Sequence, residues 1–510
     1  MQWSQATEEA ARIAARWTTE GGPGGAIVLF NDTDIHSEVF GGLASLELNL
    51  PFTAETVVRY ASISKHFCTS LLVRLQAEGV LSFEDTLGAH LPMLARAPAG
   101  VPIARALDMT GGLPDTMETL WLLGSSWTAA LDRHALFAFI SSLDALNFPA
   151  GSEISYSNTG YRLVEAALGL KSIGYADALR ERFFRPLGLS SMRLPEDETE
   201  PVPNLAAGYW RSDAGWRRGR YGLHFSASGG LAGSARDLAV WLMALMTGRA
   251  PAADLLAPLG ARRRLNDGTQ TGYGLGLARS PLGEEIVVGH GGSLPGYKNH
   301  FLLLPQQRAG VVVVSNREDT DAHGIALQVL AALTDTALPK PATAVLPNGV
   351  FAAPEGPFWI EHDAGELTFL GATDRLFLDE DGSAVSRSAH LPIRLWQANG
   401  GIAGTIAHVP RRFAPIERDA ALSRSWEGEW VCEQYSSRCS ITRVDGGGRL
   451  DIGTGPLRIS IPLTPLDAHR ALTDRREGPW RQRACLVLDP RAHTLRMVTN
   501  RSRVLHFRKG

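Results

Sequence analysis

Ala6, Ala10, Ile13, Ala14 and Trp17 recur at three-to-four spacing over residues 3 to 19, and Gly21, Gly22, Gly24 and Gly25 then break the pattern. An opening helix is predicted. AIVLF and IHSEVFGGLA follow, parted by the polar NDTD, and read as the two strands of a hairpin. The helical period returns from Ser62 to about Ala77 with Phe67, Leu71, Leu72 and Leu75, and Gly79 stops it. A second long helix therefore begins at or near Ser62.

Residues 84 to 260 carry further helical patterns between Gly/Pro turns, among them LFAFISSL, GYRLVEAALGL and ARDLAVWLMALM. From 272 onward GYGLGLAR, EEIVVGHGG, KNHFLLLP and RAGVVVVSN read as successive strands, and GIALQVLAAL closes as a helix. This order predicts an α+β layer whose sheet combines strands from both ends of the region. TDTALPKPATAVLPNGVFAAPEGP has no amphipathic period and reads as a linker, which puts a boundary near 340. Beyond it, short alternating runs recur: ELTFLGA, RLFLDE, IRLWQA and TIAHVP, then SWEGEWVCEQ, CSITRVD, RLDIGTG, LRISIPL, ACLVLD and TLRMVTN. These predict two small antiparallel barrels or sandwiches. The expected division is 1–338, 339–422 with the linker, and 423–510.

A chain of 510 residues exceeds the size at which one core keeps growing, in keeping with that division. A formal charge of -3 supplies no general attraction for nucleic acid or anionic membranes, and nowhere do about 18 apolar residues run together. Four separated cysteines, Cys68, Cys432, Cys439 and Cys485, match neither a disulfide framework nor a zinc site, so reduced thiols and no metal are expected. The opening segment lacks the continuous apolar stretch of a signal peptide, and a cytoplasmic protein is expected. Residues 470 to 510 hold eleven Lys/Arg against three Asp/Glu; the alternation of Arg501, Arg503 and Arg508 reads as the solvated side of a strand.

Lysine is rare, with five in the whole chain, so the position of Lys65 three residues after Ser62 is informative. Residues i and i+3 share a helix face, which lets the amine reach the hydroxyl, and the free N–H groups of a first helical turn favour negative charge at Ser62. A serine hydroxyl is a weak nucleophile until an adjacent base or cation activates it. Tyr156 and Asn158 form a second element: a phenol between two cations can ionise near neutral pH and relay a proton, while an Asn orients substrate or lysine. The third is His290-Gly291-Gly292, where small residues let a strand backbone approach a ligand and present N–H groups. Singly, Ser62 reads as a helix cap, Lys65 as a solvated residue, Tyr156 as a core aromatic and His290 as a turn histidine. Together and in this order they read as a serine acyl-transfer site.

PGGAIVLFND, FTAETVVRYASISKHF, LDMTGGLPD, FPAGSEISYSNTGYRLVEAAL, FRPLGLSSM, GGLAGSARDLAVWL, GYGLGL and GHGGSLPGY give residues 5 to 335 a resemblance to the penicillin-recognising serine hydrolases. That group includes class C beta-lactamases, DD-carboxypeptidases, esterases and D-aminopeptidases. The resemblance implies a beta-lactamase-like α+β domain, no cofactor, Ser62 as the acylated nucleophile, and Lys65 and Tyr156 sharing acid/base work. It further places Asn158 in the second motif, His290 at the basic position of the third, and the oxyanion between the N–H groups of Ser62 and Ser293. Histidine stands where most members carry lysine, and it gives up the permanent charge that favours a substrate carboxylate. The layout with two C-terminal β modules resembles the three-domain D-aminopeptidases, implying a homodimer that takes an N-terminal D-amino acid from short peptides, amides or esters. In those enzymes a loop of the last barrel enters the site; here LTDRREGPW matches it, with Asp474 or Glu477 facing the substrate ammonium. An esterase, beta-lactamase or DD-peptidase of the same superfamily is the alternative.

Overall fold

The computed structural model describes residues 1–416 and 421–510. Helix α1 (Trp3–Thr19) precedes the hairpin β1 (Gly25–Asn31) and β2 (Ile35–Gly41), as the periodicity predicts. A short strand β3 (Val57–Arg59) then leads into a 3-10 turn (Ala61–Ile63) and α2 (Ser64–Ala77). Helices α3 (Thr116–Leu122), α4 (Thr159–Leu170) and α5 (Ala235–Thr247) belong to the helical middle, which also contains an unforeseen hairpin, Tyr209–Ser212 with Gly215–Arg218. Strands β4 (Ala278–Leu282), β5 (Glu285–Leu294), β6 (Tyr297–Leu304) and β7 (Ala309–Ser315) follow, then α6 (Ala322–Thr334).

The six long strands form one antiparallel sheet in the order β2-β1-β7-β6-β5-β4, with Gly25 opposite Ser315 and Asn31 opposite Ala309. Strand alternation explains its two cores. Ile27, Leu29, Val311 and Val313 face the small apolar stripe of α1 and α6, whereas Val28, Phe30, Val312 and Val314 face the helical middle. There Phe67 of α2 stacks on Trp241 of α5 at 4.7 Å, and Trp241 Nε1 donates to His66 Nε2 at 2.8 Å. Helix α2 is thus buried on nearly every side, which fixes the residues at its start.

Two expectations are corrected. GYGLG is a turn, and the strand begins only at Ala278: Gly276 has φ +86°, and a Cβ on it would lie 2.9 Å from the His66 backbone, so α2 forces the chain out of extended geometry. The supposed linker also contains a barrel strand, Gly349–Ala352, whose alternation is too short to stand out.

The C-terminal region forms two closed eight-stranded antiparallel barrels, with strands from Gly349 to Pro415 and from Gly428 to Lys509. Both are fastened to the catalytic layer by buried charge. Glu153, 5% exposed, takes Arg503 of the second barrel in a bidentate pair at 2.7 and 3.0 Å and Arg411 of the first at 3.4 Å. Such a pair, once formed, resists separation, because removing one partner strands a charge. Leu122 of α3 joins the core of the second barrel. All four cysteines are free and buried, and among the described residues no helix is long and apolar enough to cross a membrane.

Candidate active site

Ser62 lies in the 3-10 turn between β3 and α2, half-buried. The residue before it, Ala61, has φ +53°, a left-handed conformation that costs a non-glycine residue energy and persists when neighbours enforce it. They do: Tyr60 Oη donates to the Ser234 carbonyl at 2.5 Å, and β5 runs so close that a Cβ on Gly292 would sit 2.0 Å from the Tyr60 carbonyl. A Cβ on Gly291 would meet His300 Nδ1 at 2.7 Å. Gly292 is therefore required for the strand to pass at this distance, while a side chain at 291 would press on the imidazole of its cross-strand partner His300.

Lys65, in the first turn of α2, is wholly buried. Its Nζ lies 3.2 Å from Ser62 Oγ, 2.8 Å from Asn158 Oδ1 and 2.6 Å from the Ser228 carbonyl. Burial holds this amine well below the usual lysine range; Asp115 opposes the shift and Arg501 and Arg162 reinforce it. A neutral amine has two protons and one lone pair. Asn158 and Ser228 offer acceptors only, so in that neutral form they would take both protons and leave the lone pair for the hydroxyl of Ser62. The orientation of Asn158 is itself fixed, since its Nδ2 and backbone N–H both donate to Asp115 Oδ2, at 2.8 and 2.7 Å.

The ring of Tyr156 sits between Lys65 Nζ and the guanidinium of Arg501, each 4.8 Å from its centroid. Burial nevertheless pushes the phenol above its ordinary range, with the Ser62 hydroxyl and Arg501 pulling the other way. The expectation of an ionised phenol is corrected here: desolvation outweighs the pull of the Ser62 hydroxyl and Arg501. A neutral phenol beside Ser62 is a proton donor, the form that an acid in an acyl transfer requires. Tyr156→Phe should therefore lower kcat about 100-fold with KM changed less than threefold. Steady-state kinetics check this; a rise confined to KM would make Tyr156 a binding residue.

His290 Nδ1 is 2.6 Å from the Gly291 carbonyl and Nε2 is 2.8 Å from Tyr273 Oη. A carbonyl only accepts, so Nδ1 carries the proton and Nε2 accepts from Tyr273. Burial and then Lys65 hold the imidazole well below its ordinary range, and it is neutral. Ser293 is exposed at the end of this stretch, with Lys298 Nζ donating to its hydroxyl at 2.7 Å.

Asp474 and Glu477 do not join this cluster. Asp474 is held in a bidentate pair by Arg481, both contacts 2.7 Å. Glu477 accepts from the Ser126 hydroxyl, from Trp127 N–H at 2.9 Å, from Trp121 Nε1 at 3.2 Å and from Arg475 Nη2 at 2.9 Å. Four donors fill its acceptor capacity and leave none for a substrate ammonium. The hairpin Arg475–Glu477/Trp480–Gln482 meets the rim through Trp480 instead, whose Nε1 donates to Glu318 at 3.0 Å; Glu318 pairs with Lys298 at 2.8 Å.

Sequence reasoning missed Asp115, Ser228, Tyr273, His390 and Arg501. Asp115 stands in GGLPD, where only resemblance pointed to it. Arg501 and Arg503, read as solvated strand residues, lie in a turn: the Arg501 carbonyl accepts from Asp115 N–H at 2.8 Å and Arg503 is spent on Glu153, while Arg508 is exposed as expected. His390 of the first barrel lies with its ring 4.9 Å from that of Tyr156 and tilted by 58°, its imidazole pushed down to about 3 by burial, Arg501 and Lys65.

A profile of the beta-lactamase family matches residues 10–335, the span that contains Ser62, Lys65, Tyr156 and His290. The chain belongs to the beta-lactamase family. It is an enzyme of that family's serine-hydrolase kind. A D-aminopeptidase of Cereibacter sphaeroides is 28% identical over 476 residues, covering 90% of both chains, barrels included. A D-aminopeptidase of Brucella anthropi is 26% identical over 356 residues, 68% of this chain and 65% of its own length. Among solved structures, the octameric penicillin-binding protein homologue from Pyrococcus abyssi covers 99% of this chain and 100% of its own, with TM-score 0.58 and 18% identity. A D-amino acid amidase from Ochrobactrum anthropi covers 65% of this chain and 98% of its own, with TM-score 0.54 and 23% identity. These two structures share the family fold.

Proposed function

We propose that this enzyme is a D-aminopeptidase, releasing an N-terminal D-amino acid from short peptides, amides or esters through an acyl-enzyme on Ser62. The observation that carries the acyl-transfer step is the buried Lys65 amine, held by Asn158 Oδ1 and the Ser228 carbonyl with its Nζ 3.2 Å from Ser62 Oγ. Ser62 Oγ attacks the carbonyl carbon as its proton passes to Lys65, and the oxyanion forms against the N–H groups of Ser62 and Ser293. Tyr156 relays that proton to the leaving nitrogen, the C–N bond breaks, and water later cleaves the ester by the reverse relay. The D-amino acid preference is supported by the named relatives, whose similarity extends through both barrels.

A free ammonium in a partly dry site requires an opposing carboxylate. Asp474 and Glu477 are committed elsewhere, so we assign the role to Glu118, half-buried one helical turn from Asp115, where Gln482 donates to it at 3.0 Å. The test compares D- and L-alanyl p-nitroanilide, each with a free or acetylated amine, with Ser62→Ala as the blank. Turnover is expected for the free D-amine, at least about 100-fold above the other three, with Glu118→Gln narrowing the gap between free and acetylated amines. A D-alanyl ester should leave an adduct on Ser62 in the mass spectrum. Equal rates on all four substrates would reject the D-aminopeptidase reading, and turnover without an adduct would reject the acyl-enzyme.

A further inference from the structure

Apart from the Ser62 cluster, the catalytic domain has a partly open cavity of about 140 Å³ whose walls include Arg59, Arg218, Arg220, Glu198, Pro295 and Tyr297. Arg59 is 6% exposed, and its Nη1 is buried without a hydrogen-bond partner. A buried guanidinium without its full set of acceptors is costly, and such groups are normally paired. The ring of Phe225, 4.5 Å away, supplies a face and no counter-charge. Carboxylates act on Arg59 from Glu198 and Asp197, of which Glu198 alone lines the cavity. Glu198 is drawn to Arg220, at 3.4 Å, and to the Tyr221 N–H, at 3.2 Å, while Arg218 faces Glu47 outside the cavity at 3.7 Å. Three guanidinium groups thus line a space whose lining holds one carboxylate, with Asp197 and Glu47 acting on Arg59 and Arg218 from outside it.

We infer that this cavity is a binding site for a small oxyanion, a carboxylate or a phosphate, with Arg59 as its buried donor and Arg218 and Arg220 at its mouth. The volume admits one such group with a few waters, at about 30 Å³ per water. The site is wired to the catalytic centre by the chain itself. Arg59 ends β3, three residues before Ser62, and the opposite wall includes Leu294 and Pro295, which follow Ser293. The Arg59 backbone is pinned, with Asn299 Nδ2 donating to its carbonyl at 2.9 Å. An anion in the cavity would therefore brace both flanks of the proposed oxyanion site. It can arrive as the acidic side chain of a substrate or as a free ion; the cavity asks for the same chemistry in either case.

Binding is measured on the full-length Ser62→Ala chain, so the result stands whether or not the D-aminopeptidase reading survives. Sodium phosphate and sodium acetate are titrated against sodium chloride at fixed ionic strength, and melting temperature and heat of binding are followed. Saturable stabilisation by phosphate or acetate is expected, weakened at least about tenfold in Arg59→Met and in the double variant Arg218→Ala/Arg220→Ala. If Arg59→Met does not fold, the double variant decides. Melting temperatures that follow ionic strength alone, or unchanged affinity in the double variant, would overturn the site. On the active enzyme, which does rest on the proposed function, D-aspartyl and D-glutamyl p-nitroanilides are compared with the D-alanyl compound. A preference for the acidic substrates, with phosphate competing against them, identifies the oxyanion as the substrate's own; phosphate binding without competition identifies a free ion.

Discussion

Replacing Lys65 by Met is expected to lower kcat/KM about 1,000-fold or more, within the range that positioned general bases supply. Methionine keeps the length and apolar stem and removes the lone pair that faces Ser62. The pH dependence gives an independent check. In the proposed mechanism Lys65 acts in its neutral form, so the activity of the native enzyme should fall as pH drops through the folded-state value of this amine. Burial sets that value well below the ordinary 10.5. Linkage has the same sign. Between the folded and unfolded values the unfolded chain binds the extra proton, so the stability of the native protein relative to Lys65→Met should rise with pH until about 10.5. Chemical denaturation of both proteins at several pH values checks this. A loss of activity below tenfold would return the base role to Tyr156.

The apolar runs AIVLF and VVVV are local signals, and their order among the helices was enough to predict a sheet built from both ends of the catalytic region. The same holds for the i, i+3 relation of Ser62 to Lys65, which depends on one helical turn. Interdomain placement has no such local trace. Arg501 and Arg503 carry the spacing of a solvated strand, and nothing nearby in sequence announces that Glu153 awaits one and Tyr156 the other. Asp474 and Glu477 show the converse: two carboxylates on a matching loop look available until Arg481, Trp121, Ser126 and Trp127 fold against them. The protonation states were equally hidden. Whether Lys65 and Tyr156 are charged depends on burial, which the barrels and the helical middle impose from outside the motifs.

Asp115→Asn is expected to lower kcat about 100-fold while changing KM less than threefold, although Asp115 touches neither Ser62 nor substrate. It is a positioning residue. Its Oδ2 accepts two N–H groups of Asn158, and its Oδ1 caps α3 by accepting the Glu118 N–H at 2.9 Å. An asparagine at 115 has one oxygen for these two duties. If the oxygen faces Asn158, an NH₂ opposes the Glu118 N–H and the cap is lost, at about 1 kcal/mol. If the NH₂ faces Asn158, the Asn158 amide turns over and presents its own NH₂ to Lys65. The amine then spends its lone pair on Asn158 and no longer on Ser62. The charge matters as well, because Asp115 is the group that holds the Lys65 amine up against burial. Without it the acidic limb of kcat/KM should move to lower pH, a shift that loss of a helix cap alone would not produce. A stability loss of about 1 kcal/mol with an unmoved limb and near-native kcat would confine Asp115 to capping α3.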